Sequence, residues 1–147
     1  MGISDDTGSL IAPMPTPFTL PFTPRPDDID ELGHVNNAVW VRWIQDMATA
    51  HWAATAAPEH VDAFIWVVTR HEIDYRGNVA LGESVTGRTW IEKPPRGATF
   101  DRRVEFVNGA GKVIVSANTT WAMLDRASGR LMRVPVEVAA PFLGGTT

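Results

Sequence analysis

The chain is 147 residues long, one domain's worth, and long enough to bury most of its apolar surface. No apolar run approaches the roughly 20 residues that cross a bilayer; Asp5 and Asp6 stand where an export signal needs positive charge; and the absence of cysteine excludes disulfides and thiolate chemistry. A net charge of −4 argues against general nucleic-acid binding, so the expectation is a cytoplasmic protein with neither nucleic acid nor membrane as partner.

Residues 1–15 are polar and then proline-rich, without a sustained period, and read as a flexible leader to a single domain over residues 16–147. Alternation from Phe18 to about Pro24 is strand-compatible. Arg25 to His34 is a polar loop. From Val35 to Ala57 there is neither proline nor glycine, and Pro58 supplies a stop, which predicts one long helix. Arg42, Gln45, Asp46 and Thr49 make a single polar stripe on it. Most other positions are apolar, so the helix should be wrapped on most sides, and Asn36 or Asn37 can cap its start.

Beyond the helix the period becomes two. In Val67–Tyr75, the residues Val67, Thr69, His71, Ile73 and Tyr75 share one predicted face. Ser84–Lys93 is a second strand, ended by Pro94 and Pro95. Ala98, Phe100, Arg102, Val104 and Phe106 line one face of a third. Asn108-Gly109-Ala110-Gly111 is a hairpin signal, and a long strand from Lys112 to Leu124 follows, with Val113, Val115, Ala117, Thr119, Trp121 and Met123 on one side. Arg130–Val134 reads as a short last strand. One near-apolar helix among consecutive hairpin strands implies an α+β fold, an antiparallel sheet wrapped around one long central helix. Such a sheet leaves an open edge, and a homodimer or homotetramer would cover it.

The loop ahead of the helix carries the chemistry. Asp28, Asp30, Gly33, His34, Asn36 and Asn37 precede a helix N-terminus, where unpaired N–H groups and a partial positive charge can stabilise an oxyanion. A carboxylate beside it can attack or activate water. Each residue taken alone is also an ordinary turn or cap former. The four histidines have no metal-ligand spacing, so no metal is expected.

The run Asp28-x-Asp30-x-x-Gly33-His34-Val35-Asn36-Asn37-x-x-Trp40-x-x-Trp43 resembles the signature of hotdog-fold acyl thioesterases. That group includes the 4-hydroxybenzoyl-CoA type, bacterial long-chain acyl-CoA thioesterases and plant acyl-carrier-protein thioesterases. Glu72-Ile73-Asp74-Tyr75 and Trp121-Ala122-Met123-Leu124-Asp125 extend the likeness over about Phe18 to Pro135. The resemblance implies a hotdog fold and hydrolysis of an acyl-CoA, with coenzyme A entering as part of the substrate and no separate cofactor. It makes Asp30 the nucleophile or general base, assigns carbonyl polarisation to backbone N–H groups near Asn37, and matches Gly33 and His34 to the same motif. Leu32 departs from the plant branch, which has asparagine there. Arg96, in the Pro94-Pro95-Arg96-Gly97 loop, is the candidate contact for coenzyme A phosphate, in keeping with an arginine-rich set of basic residues. Two other readings stay open: a hotdog protein that binds an acyl group without catalysis, and a thioesterase acting on acyl-carrier-protein substrates. A hotdog dehydratase would need a His–acid pair that this chain lacks.

Overall fold

A computed structural model describes residues 16–144, so the leader expected over residues 1–15 lies outside the described residues. Five strands, β1 (Phe18–Phe22), β2 (Phe64–Tyr75), β3 (Val85–Trp90), β4 (Thr99–Val107) and β5 (Val113–Asp125), form one antiparallel sheet in the order β1-β3-β4-β5-β2. The strands β1 and β2 are its two edges.

The long helix, α1 (Asn37–Thr55), lies against this sheet. Trp40, Trp43, Ile44, Met47, Ala48 and His51 recur at helical spacing, and all are buried. The predicted polar stripe of Arg42, Gln45, Asp46 and Thr49 faces outward. Ala38, Ala53 and Ala54 are exposed as well, so in the single chain the helix is covered on fewer sides than its composition suggests. At Gly87 of β3 the packing leaves no room for a side chain: a Cβ there would stand 2.8 Å from Met47 Sδ on α1 and 2.9 Å from Phe22 Cε2 on β1.

Two apolar clusters follow. One joins the first half of α1 to Val79, Val85, Val104, Phe106 and Val115. The other joins Ile91, Phe100 and Met123 to Val134, Val138 and Phe142, with Trp52, Phe64 and Trp66 packed on it. The C-terminal segment, with α3 (Val136–Ala139) and a 3-10 turn at Ala140–Phe142, closes that end by stacking Phe142 on Trp52 at 5.7 Å.

Three expectations need correction. Pro58 does end the long helix, but it also opens a further short one, α2 (Pro58–Ala63), because a fixed φ and a missing N–H suit a first turn. In β2 the register shifts between Val68 and Arg70, so Val67 turns outward, 41% exposed, while His71 and Ile73 face in. A bulge residue reverses the parity of everything beyond it, and the uniform face assigned to Val67–Tyr75 breaks there. Arg130–Val134 is not a full strand. It makes only the bridge Leu124–Leu131, with Met132 N–H donating to Met123 O and Val134 N–H to Gly97 O.

Candidate active site

Residues 28–36 fold back on themselves. Ile29 pairs with Val35 as an antiparallel bridge, flanked by Asp30 N–H to His34 O at 2.8 Å and Asn36 N–H to Asp28 O at 2.9 Å. The reversal closes through Gly33, whose φ of +80° is open to glycine and strained for other residues. This turn carries Asp30 to the start of α1.

The side chain of Asp30 holds the same turn. Its Oδ1 accepts from Leu32 N–H at 2.9 Å and His34 N–H at 3.1 Å. Its Oδ2 has no partner among the described residues. Two fixed donors on one oxygen orient the carboxylate and leave the other free to react. Around it lies a shallow open hollow formed with Ile29, Glu31, Leu32 and Asn36, and Leu32 is 80% exposed.

At the helix start, Asn36 is the cap: its Oδ1 accepts from Ala38 N–H at 2.9 Å, and its carbonyl accepts from Val39 N–H at 2.9 Å. That leaves Asn37 N–H as a first-turn donor with no partner among the described residues. It is the kind of open helix-terminal N–H that polarises a carbonyl. His34 and Asn37 are exposed, and their side chains make no hydrogen bond among the described residues.

Asp28 plays a different part from Asp30. It is 3% exposed, accepts from Arg25 N–H at 2.9 Å and pairs with Arg42 Nη2 at 3.1 Å. The Arg25 N–H and the Arg42 guanidinium hold its carboxyl below the ordinary 3.8 against the opposing effect of burial. It ties the loop to α1.

A further residue of this site, Asn78, lies in the loop after β2. Its Oδ1 accepts from Val35 N–H at 3.1 Å and Val79 N–H at 2.8 Å, while its Nδ2 donates to Val35 O at 3.1 Å. Asn78 therefore clamps both backbone groups of the residue that joins the Asp30 turn to α1. The only signal in the sequence is an asparagine after Gly77, which also describes an ordinary turn.

Arg96 is not brought to this turn. Its Nη1 pairs with Asp101 Oδ2 at 3.0 Å, and the side chain is 62% exposed. Its neighbour Gly97 accepts from Val134 N–H, which puts the loop with the C-terminal segment that packs on Trp52. Asp30, Gly33, His34 and Asn37 gather at the other end of a helix about 28 Å long at 1.5 Å per residue.

Comparison with known proteins agrees with this architecture. A model of the thioesterase-like superfamily matches residues 24–142. Two chloroplastic acyl-(acyl-carrier-protein) hydrolases of Cuphea viscosissima are 29% identical over 75 residues, which is 50% of this chain and 18% of each plant enzyme. The match thus spans less than a fifth of those relatives. Among solved structures, a Staphylococcus aureus protein in complex with coenzyme A superposes at a TM-score of 0.77 with 13% identity, covering 93% of this chain and 92% of that one. A predicted thioesterase of Bacillus stearothermophilus gives a TM-score of 0.75 at 23% identity, covering 86% and 94%. These likenesses establish the hotdog fold.

Proposed function

This chain belongs to the thioesterase-like superfamily, and from that membership we propose that it hydrolyses an acyl thioester with coenzyme A as the leaving thiol. The observation that carries the reading is the meeting, across one tight reversal, of a carboxylate with a free Oδ2 and a helix start with an open Asn37 N–H. In this mechanism the thioester carbonyl oxygen sits on the Asn37 N–H, where the helix end favours developing negative charge. Asp30 then either attacks the carbonyl carbon, giving an anhydride that water cleaves, or takes a proton from the attacking water. Both routes expel the thiolate and yield the free acid. Gly33 shapes the turn, and His34 stands exposed beside the reacting groups.

Coenzyme A is favoured as carrier because a structural relative covering most of this chain holds it. Arg96 remains the proposed phosphate contact. Because it lies away from the Asp30 turn of its own chain, it would serve the site of a second copy. Two copies paired through the exposed edge of β2 would supply such an arrangement.

The test is thiol release from a panel of acyl-CoA thioesters, with acyl-carrier-protein thioesters in parallel. Asp30→Asn keeps an oxygen for the Leu32 and His34 N–H groups, so the turn should survive while kcat/KM falls by about 10²–10⁴. Full activity in Asp30→Asn would remove that residue from the mechanism. If every thioester proved inert with folded protein, the hydrolase reading would fall, and acid release from the carrier protein alone would reassign the leaving group.

A further inference from the structure

A cavity of about 220 Å³ lies by the second half of α1, away from the Asp30 turn. Trp52, Phe64, Trp66, Phe100 and Phe142 give it aromatic walls. On its lining is also Arg102, in the inward row of β4 between Phe100 and Val104, and only 7% exposed. A buried guanidinium normally sits against a carboxylate, because desolvating an unpaired charge costs several kcal/mol. Arg102 has no acidic partner among the described residues.

What it has instead is neutral. Nη1 donates to His51 Nδ1 at 2.8 Å and to Thr89 Oγ1 at 3.0 Å, and that hydroxyl donates onward to Arg103 O. Burial and the charge of Arg102 push His51 down to about 4, so near neutral pH its ring accepts and brings no charge. Burial lowers Arg102 to about 10, which leaves the guanidinium protonated near neutral pH. Nε and Nη2 have no partner among the described residues. The second arginine on the lining, Arg126, is already committed to the carbonyls of Val61 and Asp62. Two indoles of the lining, Trp66 and Trp121, also hold a buried N–H without an acceptor among the described residues. The cavity is thus apolar in its walls, open to the free N–H groups of Arg102, and without an acidic residue on its lining.

We propose that this cavity binds a carboxylate with an apolar or aromatic body, the carboxylate on the free N–H groups of Arg102 and the body among Trp52, Trp66 and Phe100. A planar guanidinium takes a carboxylate through two parallel hydrogen bonds, and the walls take a ring or short chain. The cavity lies away from the Asp30 turn of its own chain, and measuring binding there does not require turnover.

The experiment titrates the purified 147-residue chain with phenylacetate, phenylbutyrate and octanoate, and in parallel with their uncharged carboxamides. Binding is read by calorimetry and by the indole N–H resonances in two-dimensional NMR. The carboxylates should bind saturably and at least about tenfold more tightly than the matching amides, shifting the Trp52, Trp66 and Trp121 signals in preference to those of Trp40 and Trp43. Arg102→Met removes the charge at similar length and should erase the acid-over-amide preference while the protein stays folded. The wild-type comparison of acid with amide stands without any variant. Equal binding of acid and amide, or no saturable binding of any of these carboxylates at millimolar concentration, would overturn the proposal. So would a preference retained in Arg102→Met.

Discussion

Replacing Asn78 by alanine tests whether the start of α1 is held by one side chain. Three hydrogen bonds disappear: Val35 N–H and Val79 N–H to Oδ1, and Nδ2 to Val35 O. Val35 N–H keeps a second acceptor, Val79 O at 3.2 Å. Val35 O has no other donor among the described residues and belongs to a residue only 1% exposed. An orphaned buried carbonyl costs about 1–3 kcal/mol and each remaining bond about 0.5–1.5, with some relaxation, so the net loss should be about 2–3 kcal/mol. That is a large part of the roughly 5–15 kcal/mol that holds a small domain together. Urea denaturation followed by tryptophan fluorescence measures it as a lower midpoint at unchanged slope. Asn78→Asp sharpens the test. It retains the acceptor for both N–H groups but sets a carboxylate oxygen against Val35 O, so it should be at least as costly as alanine. If Asn78→Ala loses less than about 0.5 kcal/mol, or Asn78→Asp matches the wild type at neutral pH, the clamp is not what fixes the helix start.

Three further outcomes follow from the same structure. His51, at about 4 in the folded protein against an ordinary 6.5, takes up its proton in the unfolded chain first. Stability should therefore fall as pH drops from 6.5 towards 4, and urea midpoints of His51→Gln should lack that component. Gly87→Ala would push a methyl group against Met47 Sδ, Phe22 and Phe106 and should cost about 1–3 kcal/mol by the same denaturation assay. Gly33→Ala meets no neighbour within 4 Å, so its cost should be the backbone strain of φ +80° alone, about 1 kcal/mol.

The parts of the fold that were legible in the sequence are those governed by local period. Alternation in β4 put Phe100, Arg102, Val104 and Phe106 on one side, and all four are buried together. The outward stripe of α1 was legible for the same reason. Where a single residue resets the pattern, period misleads: the register shift beside Thr69 turned Val67 outward. The segment at Arg130–Val134 has strand-like composition but meets its neighbours in isolated bonds. At the candidate site, the spacing of Asp30, Gly33 and Asn37 was readable because all three lie on one short stretch running from the loop into the first residue of α1. Asn78 was not, since it acts across 43 residues of sequence on a backbone that only the fold brings near. The charge of Arg102 was visible and so was its inward row, but the missing acid beside it is a property of three elements packed together.

The sheet's two borders have different capacities for extension. One is a five-residue strand holding Pro21, which has no N–H to give a neighbour; the other is a 12-residue strand without proline. A sheet built this way is a one-ended building block. When two such blocks meet through their long borders, both outer rims become the short, proline-bearing ones, and no third has a ladder of comparable length to join. Pairing of that kind would arrest growth by stoichiometry, and the asymmetry that favours one partner would protect the chain against fibre formation.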